Sequence, residues 1–237
     1  IVFLQPMSGL SIHGTILNLL KQMMKLQGRF ILLYIIIGVN LLVGCGRKAA
    51  PQYVIGVSQC SKDFWRDKFN KELQMAEYLN DSIQVKLASS NDDSKLQTRQ
   101  INQMIDEKVD LLVIAPNQLN TISPAINRAY DKGIPVIIYD RKANSNKYTA
   151  FIGCDNYAIG KSMGEFIAQK LQGKGRVVEI RGLEGSSPAL ERHRGFMEAM
   201  KKCPGMQVVA SEAGDWKEES GKKAMQRILD KTRDFDY

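Results

Sequence analysis

From Tyr53 to Leu229 the chain alternates short apolar runs with amphipathic helical segments, and this alternation limits the possible folds more than any other feature. Apolar, β-branched runs of roughly four to eight residues fit buried parallel strands. Apolar residues recurring every three to four positions fit helices laid against such a sheet. Tyr53–Ser58 reads as a strand, followed by a helix over Phe64–Leu79 with Trp65, Phe69, Leu73, Ala76 and Leu79 on one face. Ile83, Val85 and Leu87 alternate as a strand, and Asp93 caps a helix carrying Leu96, Ile101, Met104 and Ile105. Leu111–Ala115 is a strand stopped by Pro116, and a helix through Ile126 and Tyr130 closes at Gly133. Ile134–Asp140 and Phe151–Gly153 complete this series.

A second series repeats the rhythm. Ile159, Met163, Phe166, Ile167 and Leu171 lie on a helix, Arg176–Arg181 is a strand, and Ser187 caps a helix with Pro188 in its first turn and Phe196 and Met200 on its buried side. Gln207–Ser211 is a strand, and Trp216–Leu229 leads through a last helix. Such alternation predicts an α/β fold with parallel sheets and right-handed crossovers. We expect two Rossmann-like lobes, residues 53–155 and 156–237. The first series has about five strands and the second about two, with the start of a third at Arg233–Tyr237, so the second lobe reads as truncated.

The first fifty residues behave differently. Residues 1–23 begin with Ile, show no clear pattern, and read as upstream or non-native sequence. Residues 24–45 pair a short basic segment with the apolar run Phe30–Val43, too short for a comfortable span of ~20 residues but suited to a secretory signal. It ends in Leu42-Val43-Gly44-Cys45, which resembles a bacterial lipoprotein signal with Cys45 as the lipidated residue. An uncleaved membrane anchor with an incidental cysteine is the alternative. Either way the domain is exported, tethered through residues 46–52, and expected in the periplasm at the membrane.

Charge and chemistry exclude several classes. The net charge of +8 is concentrated at the start, where Lys21, Lys25, Arg29, Arg47 and Lys48 face no acid. Removing those five of the 33 bases leaves 28 against 25 acids, with no basic stripe interleaved with aromatics, so nucleic acid is not an expected partner. Cys45, Cys60, Cys154 and Cys203 show no metal-ligand spacing, and His13 and His193 are the only histidines, so neither metal nor cofactor is expected. The last three cysteines read as small buried residues, with a disulfide left open. No nucleophile elbow or carboxylate dyad appears, so the chain is not expected to be an enzyme.

In open α/β sheets ligands bind beyond the carboxyl ends of the strands. There the Ile134–Asp140 strand delivers Asp140, an acceptor, and Arg141, a rigid donor fork, a combination suited to a ligand dense in hydroxyls such as a sugar. A surface Asp-Arg pair is the alternative. The first loop offers Ser61, Phe64 and Trp65. Aromatic faces pack on the C–H faces of a sugar ring, although Trp65 also fits the core stripe with Phe69. Asn117 follows the third strand. Asp155 and Asn156 mark the passage between series, as a hinge or as a helix cap. Gly182–Ser187 has the look of a weak phosphate cradle before a helix. Arg192 lies on that helix, and Trp216 ends a strand of the second series.

Residues 53–237 resemble the periplasmic sugar-binding proteins of the ribose-binding type, related to the ligand-binding core of LacI repressors. The resemblance rests on Ile134-Pro135-Val136-Ile137 with Asp140-Arg141, on Asp155-Asn156 before Gly160 and Gly164, on Gly185–Arg192 running to Gly195-Phe196, and on Asp215-Trp216. It implies that Phe64 and Trp65 sandwich a sugar, that Asp140 and Arg141 hold its hydroxyls, and that Trp216 closes on it from the second lobe. Leu190 stands where ribose binders carry an arginine, so Arg192 would need a different helix start to substitute for it. Gly56–Arg66 is similar to the sensor domains of hybrid two-component regulators, which implies a kinase module. A substrate-binding lipoprotein serving an ABC permease is the alternative. A cytoplasmic repressor core is disfavoured because an apolar segment, not a helix-turn-helix, precedes Tyr53.

Overall fold

The computed structural model describes residues 21–25, 27 and 51–237. Residues 21–25 and 27 are helical and exposed. Cys45, the tether before Pro51 and nearly all of the expected signal lie outside the described residues. Among the described residues no helix is long and apolar enough to cross a membrane.

The first series forms one five-stranded sheet. Its strands are β1 (Tyr53–Gln59), β2 (Ile83–Ser89), β3 (Leu111–Ile114), β4 (Val136–Tyr139) and β5 (Ala150–Ile152). They run parallel in the order β2-β1-β3-β4-β5. Three helices connect the first four: α1 (Phe64–Tyr78), α2 (Ser94–Asp106) and α3 (Ser123–Asp131). Alternation along β3 decides which residues make the core. Leu112 and Ile114 are fully buried against Ile101 and Ile105 of α2 and Ile126 of α3, while Val113 faces the other side and is only partly buried.

That other side departs from the expected pattern. Only Arg66 of α1 is buried, and Leu79, expected on the apolar face, is 75% exposed. The face under α1 packs a smaller cluster of Cys60, Ala115 and Tyr139 with Phe69 and Val113.

The second series follows α4 (Asn156–Lys170) with β6 (Lys174–Arg181), α5 (Ser187–Lys201), β7 (Gly205–Ala213) and α6 (Glu218–Lys231). β6 and β7 pair in parallel, with a register shift between Val177 and Val178. Residues 232–237 form no assigned strand. Even so, Asp236 N–H donates to Arg176 O (2.7 Å) and Val178 N–H donates to Tyr237 O (2.9 Å), so the chain lies along β6 where the next strand was expected. α4 and α5 pack backbone to backbone, because a Cβ at Gly160 would collide with the Arg192 carbonyl and one at Gly195 with the Tyr157 carbonyl. This packing buries Gly160, Gly164, Ile167 and Ala168 and leaves Ile159, Met163 and Phe166, apolar residues of the expected helix, 40–53% exposed. The three described cysteines are free thiols: Cys60 is buried as expected, but Cys154 is exposed and Cys203 intermediate.

Candidate functional site

The loops beyond β1, β4, β6 and β7 converge on a cavity of about 410 Å³, within the range of roughly 300–1,000 Å³ common for small-molecule sites. Its wall carries Trp65, Asp140, Arg141, Arg192 and Trp216, all singled out from the sequence, together with Asp63, Arg66 and Pro188.

Asp140 follows β4 in a left-handed conformation (φ 62°), and Arg141 N–H donates back to Tyr139 O (2.7 Å), which makes a tight γ-like turn. Aspartate tolerates this region better than most residues. The turn holds Asp140 with its side chain about a third exposed, while Arg141 is almost wholly buried. Arg141 Nη1 donates to Asn117 O (3.2 Å), and its Nε lies 3.8 Å from the Asp140 carboxylate.

Asn117 was expected to touch ligand; the structure gives it another task. Its amide Nδ2 donates to Asp92 O (2.8 Å) and Ser94 Oγ (2.9 Å), its backbone N–H to Gln97 Oε1 (2.9 Å), and its carbonyl anchors Arg141. Ser61 and Asp155 are likewise engaged locally. The Ser61 hydroxyl donates to Asp63 Oδ2 (2.7 Å), and Asp155 Oδ1 accepts from Ala158 N–H (2.9 Å) as the cap of α4. None of the three lines the cavity.

The first turn of α1 separates two neighbours that the sequence paired. Asp63 caps the helix by accepting from Arg66 N–H (2.9 Å). Trp65 stacks on Phe69 (centroids 6.1 Å apart, 2° between planes), and Phe69 stacks on Tyr139 (4.8 Å). Residues 65, 66 and 69 fall within one sector of a helix that turns about 100° per residue, and Phe64 lies outside it. Phe64 is therefore 88% exposed and away from the cavity, whereas Trp65 serves the aromatic stack and the cavity at once.

Arg66 is the residue that sequence reading missed. It is 3% exposed, lies under the Trp65 ring (4.7 Å) and near that of Tyr139 (5.5 Å), and pairs through Nη2 with Asp140 and with Cys60 Sγ (3.2 Å). Nε and Nη1 are buried and find no hydrogen-bond partner among the described residues. Burial works against its charge, but Cys60, Asp140 and Tyr139 outweigh burial and hold the guanidinium pKa above its ordinary value. The available signal was a charged residue sharing the inward side of a helix with Phe69 and Leu73, at i+3 and i+7. Asp63 shows the same balance. Burial raises its pKa, yet the Arg66 N–H, the Ser61 hydroxyl and the Arg66 charge bring the carboxyl below its usual range.

From the second series, α5 begins at Ser187 with Ser186 as the cap residue, one position earlier than expected. Pro188 and Arg192 then share a face at i and i+4, and both line the cavity, while Leu190 is turned outward and 47% exposed. Arg192 Nε donates to Asn156 Oδ1 (2.9 Å), and its guanidinium lies 5.5 Å from the Trp216 ring centre. Gly182–Ser187 shows no sign of a phosphate cradle: the Ser187 hydroxyl accepts from Lys142 N–H (2.6 Å), and Gly185 O accepts from Leu119 N–H (2.8 Å). With the Lys142–Glu191 (2.8 Å) and Lys217–Asp92 (2.7 Å) ion pairs, these bonds tie the two series together on either side of the cavity.

Three guanidinium groups and two carboxylates thus line a site with an indole from each series. Acceptor-only carboxylates and donor-only guanidiniums together hold hydroxyls, which both give and accept, and the indoles supply apolar faces. Among the described residues no group of His, Cys, Asp and Glu is arranged to hold a metal. A second, mostly apolar cavity of about 420 Å³ shares Trp65, Asp140 and Arg192 and opens on the sheet face left bare beside α1, at Val113, Ile137 and Ile152.

The periplasmic binding protein domain family matches residues 54–236. The galactofuranose-binding protein of Escherichia coli is 29% identical over 202 residues, covering 83% of this chain and 63% of its own length. The ribose import binding protein of Bacillus subtilis is 31% identical over 147 residues, covering 62% and 48%. Among solved structures, the fructose-binding periplasmic domain of a hybrid two-component system superposes with a TM-score of 0.74 at 42% identity, covering 78% of this chain and 61% of that one. The chain spans less than two thirds of the length of each of these relatives.

Proposed function

Because the chain belongs to the periplasmic binding protein domain family, we propose that residues 51–237 are the ligand-receiving part of an exported protein that closes around a mono- or small oligosaccharide. A periplasmic location goes with the family, and the domain is a binding module rather than an enzyme. One observation carries the sugar reading: Trp65, Asp140 and Arg141 from the first series meet Arg192 and Trp216 from the second around a single cavity. A ligand held by both series shifts the equilibrium toward the closed form, because it has more contacts there.

Within that reading the domain serves as the ligand sensor of a hybrid two-component regulator, joined to a kinase module. The support is 42% identity to the fructose-binding domain of such a system, against 29% and 31% to the galactofuranose-binding and ribose import binding proteins. The ribose import binding protein supports a second role in sugar import; in that role the chain serves as the substrate-binding lipoprotein of an ABC transporter, held at the membrane through Cys45 or an uncleaved anchor. The gene downstream of Tyr237 separates the roles. A sensor continues into an apolar span of ~20 residues and kinase motifs, whereas a transport protein ends after its second lobe.

Asp140→Asn tests the site. Asparagine also tolerates the left-handed backbone, so the turn survives while the carboxylate is lost. Titration calorimetry of the full-length protein with D-fructose, D-ribose and D-galactose should show affinity for the bound sugar falling by about 2–3 kcal/mol, roughly 30- to 150-fold, with an unchanged circular dichroism spectrum. Unchanged affinity removes Asp140 from the site.

A further inference from the structure

The loop after β6 was read from sequence as a possible phosphate cradle, and the structure gives its first residue a different use. Gly182 is buried, and a Cβ built on it would collide with the six-membered ring of Trp216, 1.9–2.1 Å from Cζ2, Cε2 and Cη2. The indole therefore lies directly on the bare Gly182 backbone.

The other side of this contact is strained. Gly214 N–H donates to Arg181 O (2.8 Å), which continues the β6–β7 pairing to the point where the chain turns. Lys217 N–H then donates to Gly214 O (3.0 Å), closing a four-residue turn whose two central residues, Asp215 (φ 55°) and Trp216 (φ 61°), are both left-handed. Turns with two left-handed centres are dominated by Gly, Asn and Asp, which suits Asp215 but not a tryptophan. A bulky residue persists in such a conformation only where its surroundings over-determine it, and such residues gather at ligand sites. Here the surroundings are the Gly182 floor and the Arg192 guanidinium, and the ring they hold forms part of the cavity wall.

We propose that Gly182 is a positioning residue for ligand binding: by lacking a side chain it seats the bicyclic ring of Trp216 against the cavity, and it sets the size of aromatic that position 216 can present. The binding half of this statement rests on the sugar-site reading above, whereas the seating of the ring does not. A methyl group at position 182 lifts the indole and pushes it into the cavity or out toward solvent. A single-ring aromatic at 216 lacks the outer atoms Cζ2 and Cη2, two of the three that the methyl would meet, so the two positions are coupled by size.

The test uses the full-length protein; residues 1–237 contain two tryptophans, Trp65 and Trp216. In a background with Trp65 and every tryptophan outside residues 1–237 replaced by Phe, Trp216 is the sole emitter, and Gly182→Ala should move its emission to longer wavelength and raise its quenching by acrylamide, with no ligand needed. In the otherwise native protein, Gly182→Ala should weaken binding of the sugar that the native protein takes from D-fructose, D-ribose and D-galactose by about tenfold or more. Trp216→Phe should weaken binding in the native background but restore part of it beside Gly182→Ala, a reversal of sign that general destabilisation does not produce. If Gly182→Ala alone fails to fold while the double variant folds, the clash is with the indole, as proposed. Unshifted emission, affinity within about twofold of native, additive effects of the two substitutions, or a double variant that also fails to fold overturns the proposal. A native protein that binds none of the sugars defeats the sugar reading, and the emission measurement then still decides the seating of Trp216.

Discussion

Helices α1 and α2 lie on the same parallel sheet, have similar lengths and start from aspartate caps, yet they are held in place by different forces. α2 buries Ile101, Met104 and Ile105 against Leu112 and Ile114, so its attachment is mainly apolar area removed from water. α1 buries Arg66 alone and leaves Met75, Tyr78 and Leu79 54–80% exposed. Its attachment is directional. Tyr139 donates to Gln59, Gln59 Nε2 donates to Asn70 Oδ1 (2.7 Å), Arg66 pairs with Asp140, and Trp65, Phe69 and Tyr139 form a ladder of rings. The same side chains that dock α1 line the cavity or stand next to it. Stability and binding are therefore separable on the apolar face of α2, at Ile101, Met104 and Ile105, and joined on α1, although the first turns of α2 reach the site through Asn117 and Arg141.

The largest expected effect tests the separable side. Ile101→Ala removes a fully buried side chain from the main cluster and should lower unfolding free energy by about 2–5 kcal/mol in urea denaturation. Sugar affinity of the folded protein should stay at the native value. A change in affinity comparable to the loss in stability would show that α2 is coupled to the site and would break the contrast.

Arg66→Met is the matching change on α1. It keeps an apolar stem beneath Trp65 and removes the cation from Asp140, which retains Arg141 3.8 Å away. Losing the charged hydrogen bonds destabilises, while losing two unpartnered buried nitrogens offsets part of that, so the net loss should be about 1–3 kcal/mol. Calorimetry should show sugar affinity falling by about tenfold or more, because Asp140 and Trp65 both lose the group that fixes them. A variant with native affinity would make α1 as separable as α2.

The contrast also explains what could be read from the sequence. Period-two and period-3.6 patterns report burial, so β3, α2 and the parallel pairing of the first series were legible, as was the delivery of Asp140, Arg141 and Trp216 to strand ends. What burial does not govern was less legible. Trp65 and Phe64 are chemically alike, and only the helix phase set by the Asp63 cap assigns one to the cavity and the other to solvent. Asn117 looked like a ligand group because exposed and internally satisfied amides have the same letter; its partners at Asp92, Ser94 and Gln97 are distant in sequence. Arg66 was overlooked because charge ordinarily marks a solvated face. Ile159, Met163 and Phe166 followed the helical pattern, but the glycine-lined contact between α4 and α5 set which face was buried.

The smallest effect compares the two caps. Asp63 accepts from Arg66 N–H, and Asp93 accepts from Lys95 (2.8 Å) and Leu96 (3.0 Å) N–H, so the first satisfies one orphan donor of a helix start and the second two. Asp63→Ala should destabilise the protein by about 1 kcal/mol near neutral pH. The pKa of Asp63 is lower in the folded protein than in the unfolded chain, so the folded form holds its proton less tightly. Its contribution is therefore complete above the ordinary carboxylate range and is lost as pH falls through the lowered value. The stability gap between native protein and Asp63→Ala should accordingly close on acidification below that range, and other titrating carboxylates cancel in the difference. Asp63→Asn keeps an acceptor at the cap but cannot titrate, so its stability relative to Asp63→Ala should stay level over the same interval. Affinity then tells the helices apart. Asp63 borders the cavity and steadies the turn that carries Arg66, so Asp63→Ala should weaken sugar binding more than Asp93→Ala, whose helix start reaches the cavity only through Asn117 and Arg141. Equal affinity losses from the two caps would mean that the sheet transmits both helix starts to the site alike, and the division between α1 and α2 would not hold.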